Sequence, residues 1–241
     1  MLNKGLLRKE ISGRLSRRLG LTLTVQLAAG LLLSLGVIWA FAQIVDEVVE
    51  GESRRFDEMV LLWIDEHLPG WLYEPMLLVT ALGGFEVTVP LLVVATYAFY
   101  RKSARISATL LPVATLGSIV LTEALKRLFD RARPELLDSY YTASGYSFPS
   151  GHATFAAGFY GTLTLLLAWR LSGIRRWLVV AAGVGLVLLI GFSRLYLGAH
   201  YPTDVLAGFL AAPLWVSFIG LCYFLWRTLR RHPSGKAEGE E

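Results

Sequence analysis

Apolar residues gather into six long runs, at 19–45, 71–100, 106–125, 153–169, 177–192 and 205–226, separated by polar stretches. A helix needs about 20 mostly apolar residues to cross the hydrocarbon of a bilayer, so each run predicts a membrane span. The third run carries scattered Thr and Ser. The fourth and fifth are short, which predicts that their ends sit in protein rather than lipid. Between the first two runs, over 46–70, the pattern changes. Phe56, Met59, Val60, Trp63 and His67 recur at helical spacing, while Asp57, Glu58, Asp65 and Glu66 fall off that stripe. This periodicity predicts an amphipathic helix, either lying in the membrane interface or packed on the top of the bundle. Trp71 and Tyr73 have the character of interfacial anchors for the next run.

Charge placement orients these runs. Basic residues collect in four segments: Lys4, Arg8, Lys9, Arg14, Arg17 and Arg18 before the first run; Arg101, Lys102 and Arg105 after the second; Arg170, Arg175 and Arg176 after the fourth; Arg227, Arg230, Arg231 and Lys236 after the sixth. Six spans put all four on one side, which the positive-inside rule assigns to the cytoplasm. An odd number of spans would break that agreement. The expected fold is therefore an all-α integral membrane protein, a six-transmembrane-helix bundle with both termini cytoplasmic and an outer interfacial helix between spans one and two. Its parts are a basic cytoplasmic segment at 1–18, the six-helix domain at 19–231 and a polar tail at 232–241, whose composition predicts no fixed fold. Ala40-Phe41-Ala42 resembles a signal cleavage site, but the apolar stretch and its basic lead are too long for a signal peptide, so an uncleaved anchor is expected.

Composition agrees. Hydrophobic residues make up 54% of the chain and charged residues 17%, with a mean hydropathy of +0.52, too little polar surface for a soluble domain of this length. The net charge of +4 does not suggest a nucleic-acid partner. The single cysteine, Cys222, lies in an apolar run and gives neither a disulfide framework nor a zinc pattern.

The remaining basic residues are Arg54, Arg55, Lys126, Arg127, Arg131, Arg133 and Arg194, all on the outer side. Five of them sit in or beside two outer segments, 126–151 and 193–203, against the positive-inside trend. Charge at a membrane edge calls for a functional cause. Lys and Arg there suit a phosphate, the guanidinium by bidentate grip and the ammonium as a point charge. Three clusters emerge. The first runs from Lys126 to Arg133 and Pro134. The second, Pro149-Ser150-Gly151-His152, opens the fourth run: Ser150 suits a helix N-cap, Gly151 admits close approach of a ligand, and the free first-turn amides favour an anion. The third comprises Ser193, Arg194, His200 and Asp204, with Pro202 suited to the first turn of the sixth helix. Asp204, four residues beyond His200, can orient that imidazole and stabilise its charge. One histidine could attack phosphorus and another could protonate the leaving oxygen, with the cations and amides stabilising the equatorial oxygens. Lys126, Arg133 and Arg194 supply positive charge, so no metal is required. Glu123, Arg127, Asp130 and Arg131 beside the first cluster are assigned salt-bridge or surface roles.

Lys126-x6-Arg133-Pro134, then Pro149-Ser150-Gly151-His152, then Ser193-Arg194-x5-His200-x3-Asp204 resembles the pattern of the type 2 phosphatidic acid phosphatase superfamily, and no motif position departs from it. Three motifs in order on one membrane face form a specific signal. The resemblance implies a six-helix core over roughly 19–231, with His200 as nucleophile, Asp204 as its orienting partner and His152 as general acid. Lys126, Arg133, Ser150, the Gly151 amide and Arg194 would bind phosphate. It implies hydrolysis of a lipid phosphate without metal or cofactor, at the extracytoplasmic face of the cell membrane. Undecaprenyl diphosphate, phosphatidic acid, diacylglycerol pyrophosphate and phosphatidylglycerol phosphate are the expected substrates, with the first favoured for a bacterial source. Two other readings compete. A vanadate haloperoxidase shares the cradle but is soluble, and a non-enzymatic lipid-binding or transport protein of the same fold would be expected to lack the two histidines.

Overall fold

The computed structural model describes residues 28–135, 141 and 144–231. The basic lead at 1–18, the start of the first run and the polar tail fall outside them. The chain divides into two units, Met1–Trp39 and Ala40–Glu241. Helix α1, Ala28–Val49, begins in the first unit; its Leu31, Leu32, Leu33, Leu35, Ile38 and Trp39 are all exposed, as the lipid-facing side of a span would be.

The regular elements of the second unit are helices among its described residues, with irregular segments at 130–135, 144–150 and 197–201. In order come α2 (Arg54–His67), a 3-10 turn (Gly70–Leu72), α3 (Tyr73–Leu82), α4 (Phe85–Arg101), α5 (Arg105–Phe129), α6 (Gly151–Ala156), a π turn (Ala157–Gly161), α7 (Thr162–Ala168), α8 (Gly173–Tyr196) and α9 (Pro202–Arg231). Among the described residues, four helices are long and apolar enough to span a bilayer: α1, α5, α8 and the Pro202–Ile219 portion of α9. The α3–α4 pair makes a fifth if its bend counts as one span.

Two of the expected spans are interrupted. The second is not one helix: α3 and α4 meet at Gly83-Gly84 with a bend of 45°. The Leu82 carbonyl, left over at the end of α3, accepts hydrogen bonds from Thr88 Oγ1 (3.1 Å) and Tyr160 Oη (2.8 Å). Backbone groups at a helix end need such partners because lipid offers none. The fourth expected span is α6, the π turn and α7 in succession. Its Phe159 and Tyr160 join Leu92, Phe99, Leu111, Ala156 and Ile190 in the core.

Helix association inside lipid depends on close packing of small residues rather than on a hydrophobic gradient. That is how α6 meets α9: Ala153, Ala156, Ala207, Ala211 and Ala212 are buried. A Cβ at Gly208 would lie 2.7 Å from the Ser150 carbonyl oxygen, so the backbones meet where Ser150 and Asp204 must be held. The Thr and Ser of the third run turn inward. Thr115, Ser118 and Thr122 are buried and donate to the carbonyls of Leu111, Ala114 and Ser118, which satisfies each hydroxyl within its own helix.

Helix α2 has one exposed and one buried face: Phe56, Met59 and Trp63 are exposed, while Asp57, Leu61 and Ile64 are buried against the bundle. The hydrophobic pattern had put Asp57 on the polar side, whereas it is fully buried. Its partners lie far away in the chain.

Candidate active site

The ends of α5, α6, α8 and α9 converge. Helix α5 stops at Asp130, whose left-handed backbone (φ 51°) caps it as the Asp130 amide donates a hydrogen bond to the Lys126 carbonyl oxygen. This leaves Lys126 in the last turn, with its Nζ 3.7 Å from the position a Cβ would take at Gly151. Glu123 Oε1 is 3.9 Å from the same Nζ. Ser150 stands at the N-cap position of α6, and its amide donates to the Asp204 carbonyl oxygen at 2.9 Å. The expected capping bond is absent: the Ser150 hydroxyl contacts no first-turn amide.

Arg194 closes α8 and is 1% exposed. One of its terminal nitrogens donates to Thr80 Oγ1 (2.7 Å) and Tyr141 Oη (3.0 Å), and the guanidinium sits 4.7 Å from the Tyr141 ring centroid. Among the described residues, the buried side-chain polar atoms without a hydrogen-bond partner are Ser150 Oγ, Arg194 Nε and Thr96 Oγ1. Two of these three belong to the site. A buried donor without a partner costs about 1–3 kcal/mol, and an anion held between the motifs would satisfy both. Arg133 donates to the carbonyls of Ser144, Gly145 and Ala199 and lies 3.1 Å from His200 Nε2. His152 is within electrostatic reach of Arg194, His200, Lys126 and Arg133.

His200 is 2% exposed, in the turn between α8 and α9. Arginine has donors only, so the Nε2 atom facing Arg133 carries the lone pair and the proton sits on Nδ1. Nδ1 points to Ser147 Oγ (3.4 Å) and Asp204 Oδ2 (3.5 Å). Burial pushes this imidazole down to about 4, helped by Arg194 and Arg133 and opposed by Asp204. The ring is therefore neutral near pH 7, with the Nε2 lone pair directed at Arg133. The sign for stability follows from linkage: a depressed value favours the fold fully above the ordinary histidine range near 6.5, and that contribution is lost as pH falls through about 4.

Asp204 is fully buried in the first turn of α9. Its Oδ2 accepts from the Ser147 hydroxyl and from the Tyr201 amide at 2.8 Å. Its Oδ1 accepts from Arg131 at 2.6 Å. All eight positions singled out by the motifs therefore lie on converging segments.

The sequence reading missed several further groups. Arg131, assigned a salt-bridge or surface role, is indeed ion-paired, but to Asp204 and to Asp57 of α2 at 2.7 Å, inside the site. Ser147, Thr203 and Thr80 were not singled out either. The available signal for Arg131 was its place two residues before Arg133, on the outer side and against the charge trend.

The PAP2 superfamily profile matches residues 107–228. Phosphatidylglycerophosphatase B of Bacillus subtilis is 38% identical over 144 residues, covering 58% of this chain and 69% of that protein. Undecaprenyl-diphosphatase of Sulfolobus acidocaldarius is 30% identical over 151 residues, 61% of this chain and 68% of that one. The crystal structure of a transmembrane PAP2 type phosphatidylglycerolphosphate phosphatase from Bacillus subtilis superposes with a TM-score of 0.71 at 25% identity, covering 80% of this chain and 96% of that one. With three motifs whose side chains converge and a profile that spans half of its length, this chain belongs to the PAP2 superfamily.

Proposed function

We propose that this chain is a multi-pass membrane phosphatase that hydrolyses lipid phosphate esters or anhydrides through a phosphohistidine on His200. The observation that carries the reading is the pair of buried, unpartnered groups, Ser150 Oγ and Arg194 Nε, on the same converging segments as a neutral His200 and three cations. Such a cradle fits the equatorial oxygens of a phosphoryl group. Lys126, Arg133, Arg194, the Ser150 hydroxyl and the Gly151 amide hold the phosphate. The His200 Nε2 lone pair forms the P–N bond as the bond from phosphorus to the lipid oxygen breaks. His152 gives that oxygen its proton. Cations surround His152, and an arriving phosphate anion reverses the local potential so that this imidazole can carry the proton. Water, deprotonated by His152, then attacks phosphorus, releasing phosphate and returning the electron pair to Nε2. Asp204 holds Nδ1–H and stabilises the imidazolium of the intermediate.

The names of the relatives support phosphatidylglycerol phosphate and undecaprenyl diphosphate as leading substrates, with phosphatidic acid and diacylglycerol pyrophosphate next. The decisive assay is phosphate release in detergent from a panel of lipid mono- and diphosphates and a soluble sugar phosphate, with EDTA present throughout. Release from at least one lipid is expected. A protein inert toward every lipid would remove the phosphatase reading, and activity abolished by chelation would remove the metal-free mechanism.

The proposed topology has six spans, cytoplasmic termini, α2 in the outer interface and the site at the extracytoplasmic face. Charge placement supports it. So does the opposite end of the bundle, where Arg170 donates to Ser107 Oγ of α5 at 3.0 Å and lies over the Phe99 ring of α4, next to the basic 101–105 segment assigned to the cytoplasm. In a Cys222→Ser background, a cysteine at Tyr146 is expected to react with an impermeant thiol reagent from outside, and one at Lys102 is not. The reverse labelling would invert the topology.

A further inference from the structure

We infer that Asp57 and Arg131 are positioning residues of the active site: a buried Asp57–Arg131–Asp204 stack ties the outer helix α2 to the catalytic turn and sets the charge that Asp204 presents to His200. This rests on the phosphatase reading.

The three side chains form an alternating row. Arg131 spans the two acids, one terminal nitrogen on Asp57 Oδ2 at 2.7 Å and the other on Asp204 Oδ1 at 2.6 Å. Both carboxylates are fully buried, and the guanidinium also lies 4.4 Å from the Tyr201 ring centroid. One cation between two carboxylates leaves the row with one net negative charge. Arg131 takes only the far oxygen of Asp204, leaving Oδ2 for Ser147, the Tyr201 amide and His200. Alone, Arg131 would draw the Asp204 charge away from the imidazole. Asp57 offsets that pull from the other side.

Asp57 has a second hold on the same turn. Its Oδ1 accepts the Thr203 amide at 3.0 Å and its Oδ2 the Thr203 hydroxyl at 2.7 Å. A carboxylate on a first-turn amide satisfies an orphan donor and suits the positive end of the helix. The cap of α9 is thus supplied by α2, 146 residues earlier. Thr203 Oγ1 also accepts from Arg131 at 2.8 Å, which closes the network. Both the direction and the charge of Asp204 therefore depend on α2.

The other charged or titratable groups facing His200 are Arg133 from the 130–135 segment, Arg194 from α8 and His152 from α6. Lys126 of α5 is within reach of Asp204, and Glu58 and Arg54 of α2 act on Tyr201. Within the set, Asp57 and Arg131 are the groups that act on the far side of Asp204.

The test is the pH midpoint of the acid limb of kcat/KM, a position that does not shift with how much of each preparation is active. Asp57→Asn leaves the Arg131 charge uncompensated, makes the potential at His200 more positive and moves the limb to lower pH. Arg131→Gln leaves two carboxylates and moves it to higher pH. The expected shifts are on the order of half a unit or more for charges at this range. The double variant D57N/R131Q has the native net charge, and its limb returns toward the native position. A merely structural role would lower activity without opposite shifts. Should R131Q fail to fold, Arg131→Lys takes its place: a native limb for R131K alone and a lowered one for D57N/R131K. Single-variant limbs that stay put, or that move in the same direction, overturn the inference. A native protein that releases no phosphate from any lipid overturns the phosphatase reading instead, so the two failures are distinct.

Discussion

Replacing His200 with alanine is expected to lower phosphate release by about a thousandfold or more, equivalent to about 4 kcal/mol of transition-state stabilisation. The surroundings explain why the loss should fall on rate rather than on fold. The imidazole meets Asp204 and Ser147 through Nδ1 only at 3.4–3.5 Å. When it is removed, Asp204 still accepts from Arg131, Ser147 and the Tyr201 amide. No buried charge is stranded, and the stability cost should stay within the usual range of about 1–3 kcal/mol for a point substitution. Nε2, by contrast, is the atom proposed to bond phosphorus, and nothing else in the turn can replace it. Acid-quenched native enzyme given labelled substrate should retain label on the protein, and His200→Ala should retain none. A variant that keeps a tenth of native turnover while eluting as a folded species would exclude His200 as nucleophile.

Asp204→Asn is expected to cost about a hundredfold to ten-thousandfold in kcat and, unlike the first substitution, to destabilise the protein as well. The amide is nearly isosteric with the carboxylate, but half of it is a donor. If the NH2 takes the place of Oδ1 it meets the donors of Arg131. If it takes the place of Oδ2 it meets the Ser147 hydroxyl, the Tyr201 amide and the Nδ1–H of His200. Either orientation leaves buried donors facing each other, and Arg131 keeps only Asp57 as an acid partner. Losing one partner of a buried charge network costs about 3–5 kcal/mol. The imidazolium of the proposed intermediate also loses its counter-charge. Thermal unfolding in detergent and single-turnover kinetics on the surviving folded fraction separate the two effects. Native turnover per folded molecule would contradict the role given to Asp204.

Much of the site was legible because it is made of local sequence. Lys126 and Arg133 flank one helix end, Ser150 to His152 open another, and His200 and Asp204 are held at a separation of four residues by one turn and the first residues of α9. Helix-start chemistry and covalent spacing act over such distances, so they leave a pattern in the chain. The hydrophobic runs were legible for a similar reason, since a bilayer demands a continuous length of apolar residues whatever the neighbouring helices do. The bend at Gly83-Gly84 was not legible. An apolar run reads the same whether its helix is straight or broken, and the break is sustained by Tyr160, 78 residues away. Asp57 was misread for a deeper reason. Periodicity sorts residues by polarity, so it put a carboxylate on the wet face of α2. A buried carboxylate becomes tolerable only with a cation and amides around it, and those come from Arg131 and Thr203.

The sequence by itself therefore determined the membrane character of this protein, the order of its three motifs and the residues offered for phosphate and proton chemistry, because each depends on composition or on neighbours along the chain. The tertiary structure alone decided which atoms remain available for that chemistry. It left Ser150 Oγ and Arg194 Nε without partners, aimed the His200 proton toward Asp204, and paired Asp57 of α2 with Arg131. Those outcomes rest on contacts between distant segments, where a polar group is satisfied or left open according to what the fold brings beside it.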